Sequence, residues 1–243
     1  LVSFTRSLFN ASFKTNPFLE RAIMTGITRV SKESVFSDLN NLVVITTTSD
    51  AYATSFGFTE QEVFHALEEF GKSEKQKEVK NWYDGFTFGG ISDIYNPWSI
   101  LNYLKTGKIA SYWTNTSSNR FVGSLIRESG RNLKMDFENL LKGGMLRTML
   151  DEQVVFSQLD HSETAIWSML LASGYLKIAD HETDTRTGRE YYTLALTNRE
   201  VQLMFENIVH DWFAEGAEDY NDFIKGLLSG DVEAMNCYMN RIT

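Results

Sequence analysis

Trp82-Tyr-Asp-Gly-Phe-Thr-Phe-Gly-Gly-Ile-Ser-Asp-Ile-Tyr-Asn-Pro-Trp-Ser-Ile100 is the densest run of aromatic and turn-forming residues in the chain. A helix is expected to end at Tyr83–Asp84, with Gly85 free to take the left-handed conformation that closes helices. Phe86–Phe88 and Asp93–Tyr95 read as two short strands around a Gly-Gly turn. Asn96 is placed to cap a following helix, with Pro97 at its first position, where a missing N–H costs nothing. The run reads as an aromatic mini-core between two helices.

Upstream, Thr59-Glu-Gln-Glu62 is a capping box, and the helix it opens should run to about Phe70 with Val63, Phe64, Leu67 and Phe70 inward. Glu74–Tyr83 reads as a charged helix leading into the central run. Phe4–Phe13 has helical apolar spacing. Ala22–Ile27 is a short apolar run, expected to be a buried strand, and Ser31–Asn40 a short helix or turn.

Downstream, Pro97–Leu104 is a helix stopped at Gly107. Ser118 or Asn119 can cap a helix over Arg120–Glu128, and Met135–Leu141 should be a helix ended by Gly143-Gly144. Val154–Phe156 reads as a strand and Ser162–Ala172 as a helix. Tyr175–Ile178 and Tyr191–Leu196 read as a hairpin around a charged loop, Asp180–Glu190. A helix capped by Thr197 or Asn198 follows, amphipathic over Val201–Phe213, and the last thirty residues read as two short helices. Helix, hairpin and helix in this order suggest a winged-helix-type unit, with a soft boundary near 110–120.

The totals bound the function. At 243 residues, 42% hydrophobic and 23% charged, the chain has the composition of a globular protein. A net charge of −9 argues against a broad phosphate-binding surface. Cys237 is the one cysteine, so neither an internal disulfide nor a Cys-rich zinc site is available, and a cytoplasmic setting is expected with no membrane partner. The four histidines are scattered, with no metal-ligand spacing. The chain opens Leu1-Val-Ser-Phe, with neither an initiator Met nor a signal-peptide pattern, and is expected to be a fragment.

Several motifs tempt. Ala66 with Gly71-Lys72-Ser73 fits a loose phosphate-loop pattern. The intervening Leu67, Glu68, Glu69 and Phe70 instead continue an amphipathic helix, and two glutamates would face the phosphates. Glu78-Val79-Lys80 spells half of a nuclease motif, but on a charged helix with no Pro-Asp pair in the chain. Asp180, Glu182 and Asp184 alternate as calcium ligands do, but Arg186 stands where a glycine turn belongs. Asp84 reads as a cap or ion-pair partner. No metal ligand and no catalytic residue emerge.

The Trp82–Ile100 block resembles the WYDGY…YNPWSI block of a bacterial and archaeal family with an AAA-type ATPase-like domain, usually followed by a PD-(D/E)XK nuclease-like domain. Three further blocks agree in order: Ala22–Lys32 followed by Val35–Leu42, Tyr52 with Gly57–Val63, and Ser173–Lys177 with Tyr192–Val201. The resemblance covers most of the chain. It implies that the phosphate loop and magnesium-binding acid lie upstream and the nuclease residues beyond Thr243. It also implies that Thr25 or Thr28 senses the γ-phosphate and that Arg29 and Lys32 meet phosphate charge. Read without it, Thr25 is a strand residue and Arg29 pairs with a carboxylate.

The fold expected is α+β and mostly helical: a partial AAA-type α/β segment with lid-like elements over 1–115, a winged-helix-like module over 116–215 and a helical tail over 216–243. The expected function is that of part of an ATP-binding ATPase-like protein, unable to hydrolyse ATP alone. ATP and magnesium would belong to the parent, and its neighbouring domains would be the partners. The alternatives are a non-catalytic protein- or nucleic-acid-interaction module and part of a nuclease. Nucleic acid is disfavoured because Ser162–Ala172 holds Glu163 and no Lys or Arg.

Overall fold

The computed structural model describes residues 2–14, 16–26, 42–116, 119–151, 159, 162–211 and 230–233. The chain divides into two compact units, Leu1–Gln202 and Leu203–Thr243. Among the described residues no helix is long and apolar enough to cross a membrane. The fold is α+β, with two small antiparallel sheets.

Near the start, α1 (Val2–Phe9) passes into a π-helical turn, Asn10–Lys14. After β1 (Phe58–Thr59) comes α2 (Glu60–Glu69), opened by the expected capping box: the Thr59 hydroxyl accepts from the Glu62 N–H and the Glu62 carboxylate accepts from the Thr59 N–H at 2.8 Å. A 3-10 turn, Ser73–Lys75, leads into α3 (Gln76–Tyr83). Then come β2 (Phe86–Phe88), β3 (Ile91–Tyr95) and α4 (Pro97–Thr106). Asn96 Oδ1 accepts from the N–H groups of Trp98 and Ser99 at 2.9 and 3.3 Å, and Gly107, at φ 69°, closes α4. The strand order is β1-β3-β2, and on its inner side Val63, Leu67, Val79, Tyr83, Tyr95 and Ile100 form one core. Each such side chain contributes about 1.5–3 kcal/mol on burial.

The second half of this unit holds α5 (Arg120–Glu128), α6 (Arg131–Leu141), β4 (Leu146–Thr148), α7 (Glu163–Ala172), β5 (Leu176–Thr183), β6 (Glu190–Leu196) and the first residues of a helix over 199–211, here α8. Its strands are ordered β4-β6-β5. Helix α7 is buried from Ala165 through Leu171, so no side of its middle two turns is left to water.

Several expectations are corrected. Residues 22–26 are irregular and exposed, not a buried strand, because an apolar run makes a strand only when another strand pairs with it. Tyr83 does end α3, but Asp84 is extended at φ −75°, and Gly85, at φ 130°, is not a left-handed cap. Glycine is required there because a Cβ would fall on the Thr197 carbonyl oxygen. Phe70 is 56% exposed, since α2 ends one residue before it. Asn119 makes no cap bond for α5; its amide donates to Thr114 O and its Oδ1 accepts from the Tyr175 hydroxyl. Asn198, not Thr197, caps α8 by accepting from Val201 N–H, while the Thr197 hydroxyl donates to Gly174 O. The short strands β1 and β4 carry no sequence signal. The readings over Ser31–Asn40, Val154–Phe156 and Cys237, and that of the last thirty residues save 230–233, fall outside the described residues.

One buried carboxylate joins the two halves. Glu200 is 1% exposed; it accepts from the Ser99 hydroxyl at 2.8 Å, from Tyr112 N–H at 2.6 Å and from Thr114 N–H at 3.2 Å. Glu200→Ala should strand those three donors and lower the unfolding free energy by at least about 3 kcal/mol. Glu200→Gln, which keeps one acceptor, should lose about half as much. Urea unfolding measures both; a loss below about 1 kcal/mol in the alanine variant would show that the carboxylate does not hold the halves together.

Candidate functional site

Strand β3 alternates, so its two faces carry different chemistry. Asp93 and Tyr95 face α2 and α3; Ile94 faces the other way, beside its register partner Phe86.

On the first face an ionic cluster surrounds Lys80. Its ammonium pairs with Glu60, donates to Asp93 at 3.0 Å and lies 3.8 Å from Asp84. The Tyr95 hydroxyl donates to Glu60 at 3.3 Å. Three elements converge here because α2 begins at Glu60, α3 ends at Tyr83 just before Asp84, and β3 runs alongside both. Asp93 sits at φ 58°, a left-handed conformation that Asp tolerates better than most residues.

Burial pushes the Asp84 carboxyl up to about 7, aided by a hydrogen bond to Asp93 and by that residue's charge. Asp93 moves the other way: the hydrogen bond from Lys80 holds its carboxyl below the usual range. Asp84 thus holds a proton more tightly than Asp93 does, and its Oδ1 is buried without a hydrogen-bond partner among the described residues. Glu60, Asp84 and Asp93 bring carboxylate oxygens within 4.8 Å of one another, a spacing that suits a divalent cation. The Lys80 ammonium, whose proton affinity is raised chiefly by Glu60, already supplies the positive charge. The chemistry is that of an ion-paired cluster in which three carboxyls share one ammonium and the Asp84 carboxyl is pushed up to about 7.

On the second face lies a cleft of about 200 Å³ between the first sheet and the α7–β5 turn. Phe86, Phe88 and Ile94 line one wall, and Leu171, Ala172 and Gly174 the other. The Phe86 ring meets Trp113 edge-on at 5.6 Å, and Trp113 lies 5.7 Å from Tyr175, so aromatic packing fixes the separation of the walls.

The residues singled out for phosphate contact are not gathered into either place. Thr25 lies in exposed irregular chain, and Thr28, Arg29 and Lys32 fall outside the described residues. Gly71-Lys72-Ser73 is a closed helix terminus: Gly71 N–H donates to Glu68 O at 2.9 Å and Lys72 N–H to Leu67 O at 2.7 Å. Glu78 pairs with Lys75 while Lys80 addresses the cluster, so the two letters of the nuclease-like pair serve different partners. Asp184 accepts from Arg186 and Thr187 N–H within its own turn. Sequence reasoning missed the joint role of Glu60, Lys80 and Asp93; only the burial of whatever follows Tyr83 could have pointed to it.

No family model matches the chain, and no solved structure matches it. A relative aligns: an uncharacterised protein in the vnfD 5′ region of Azotobacter chroococcum mcd 1, 28% identical over 123 residues. The aligned stretch is 51% of this chain and 23% of that protein, so the match spans about a quarter of the relative's length.

The cluster makes stability depend on pH. A carboxyl whose folded value is raised favours folding while protonated; that contribution is complete below the unfolded value of 3.8 and is lost as pH rises through about 7. Asp84→Asn cannot ionise, so its stability relative to the parent should rise between pH 4.5 and pH 8, by on the order of 2 kcal/mol. Urea unfolding at both pH values tests this; a difference that does not change with pH would mean Asp84 titrates normally.

Proposed function

We propose that this chain is a non-hydrolysing part of an ATP-binding, AAA-type ATPase-like protein, in which lid-like helices and a winged-helix-like unit serve as an internal scaffold. The carrying observation is the closed terminus at Gly71–Ser73. In the stretch whose letters fit a phosphate loop, Gly71 and Lys72 give their N–H groups to the helix's own carbonyls, so neither offers one to a phosphate. ATP and magnesium on this reading are held by other parts of the parent.

The β4-β6-β5 order, with α6 before β4 and α7 before β5, supports the winged-helix-like reading of the second half. In a nucleic-acid reader of that type, α7 would lie in a groove. Here it is buried and carries no Lys or Arg, which supports a packing role. A second reading, a protein-interaction module, is favoured by α4: Trp98 and Leu101 stand one turn apart and are 54% and 53% exposed.

Calorimetric titration of Mg-ATP into the purified chain should show no binding up to about 500 μM, a ceiling well above the micromolar range of a complete nucleotide site. A duplex DNA titration should be equally silent. Micromolar ATP binding abolished by Lys72→Ala would make the Gly71-Lys72-Ser73 stretch a working phosphate loop. Binding lost only in Arg29→Ala would instead place a complete site within this chain.

A further inference from the structure

We propose that the cleft on the apolar face of the first sheet binds an uncharged nitrogen heteroaromatic ring, of nucleobase size and edge chemistry. Its volume, about 200 Å³, admits one or two fused rings. The walls ask for a flat, apolar body: Phe86 and Phe88 stack 6.3 Å apart at 30°, and Ile94 and Pro97 continue the surface. None of the lining side chains carries a charge, so the part of a ligand that enters carries none either.

The polar groups define the ligand's edge. Asn96 lines the cleft with its amide orientation fixed, because Oδ1 is held by the N–H groups of Trp98 and Ser99. Its Nδ2 has no partner among the described residues and is left as a fixed donor. Thr47 and Ser173 also line the cleft; their hydroxyls have no hydrogen-bond partner among the described residues, and each can donate or accept. A ring nitrogen acceptor opposite Asn96, with further heteroatoms toward the hydroxyls, satisfies this set; a plain hydrocarbon ring leaves it unpaired. The Tyr95 hydroxyl takes no part, being turned to Glu60 on the opposite face. The inference is independent of the nucleotide reading above, since no phosphate is involved.

Purine and indole make a matched test, being fused bicycles of nearly the same shape, of which only purine has acceptor nitrogens. Each is titrated into the whole chain and followed by protein-observed NMR. Purine should saturate with a dissociation constant of roughly 0.1–1 mM, as expected of a ligand of about nine heavy atoms. Its shifts should centre on the amides of Asn96 and Gly174, and indole should bind at least about fivefold more weakly. Asn96→Asp keeps the helix cap, because Asp caps as well as Asn, but replaces the donor with a carboxylate. It should hold its unfolding temperature and weaken purine by about tenfold or more. Ala172→Phe, which fills the cleft, should block both rings, and it keeps the test decisive if Asn96→Asp does not fold. Absence of saturation below about 5 mM purine, equal affinity for the two rings, or binding untouched by both substitutions would each overturn the assignment.

Discussion

The buried carboxylate of Glu200 constrains more of this structure than any other single group. It is held by one hydroxyl and two backbone N–H groups, and among the described residues no cation neutralises it. A carboxyl group taken from water in this way is tolerated only where hydrogen-bond partners are fixed around it. The connection between the two sheets therefore cannot wander, because Tyr112 and Thr114 must both present their N–H groups inward. Trp113, between them, is set against Phe86 on one side and Tyr175 on the other. Ser99, in the first turn of α4, is fixed at both ends: its N–H to Asn96 and its hydroxyl to Glu200. Through these contacts a residue at the start of α8 sets the width of a cleft whose walls lie on β2, β3 and α7.

The same strand then separates two kinds of chemistry. The α2–α3 side of β3 gathers charge and pairs it: each carboxylate of the cluster lies within ion-pairing distance of Lys80. Such a cluster specifies how α2, α3 and β3 fit together, and it leaves little unspent valence for a ligand. The opposite side is apolar and open, and its polar groups at the margins are not consumed. Recognition belongs on the face whose hydrogen-bonding capacity is unused, and here that is the face without charges.

What could be read from the sequence was whatever is written within a few residues. The capping box at Thr59–Glu62, the Asn96-Pro97 start of α4, its stop at Gly107 and the hairpin of β5 and β6 each depend on chemistry spanning four or five positions. What could not be read depends on residues far apart in the chain. Gly85 was legible as a needed glycine but for the wrong reason: its demand comes from the Thr197 carbonyl and not from helix closure. Ser99 and Glu200 are 101 positions apart, and nothing near either one announces the bond. Ala22–Ile27 failed for a related reason, since strand propensity is a statement about fitting beside another strand, and residues 22–26 have none. The cleft was half visible: its aromatic wall lies within the Trp82–Ile100 run, but the α7–β5 turn that closes it comes from a stretch more than seventy positions further on, and no local pattern links the two.

The two tempting motifs show how secondary structure decides whether a pattern of letters can act. A phosphate loop works by leaving successive N–H groups unpaired and pointing into one concavity. At Gly71 and Lys72 the same groups are the donors that terminate α2, so phosphate binding there would first require the helix end to open. Glu78 and Lys80 are two positions apart on a helix, about 200° around its axis, whereas the nuclease pattern needs the alternation of a strand, which returns positions two apart to one side. Their actual partners, Lys75 on one side and the Glu60–Asp93 cluster on the other, are what helical geometry dictates. On the reading proposed here, the phosphate chemistry of any nucleotide-binding parent therefore comes from elsewhere in it, and the contribution of this chain lies in the rigid joint that Glu200 closes and in the cleft that joint holds open.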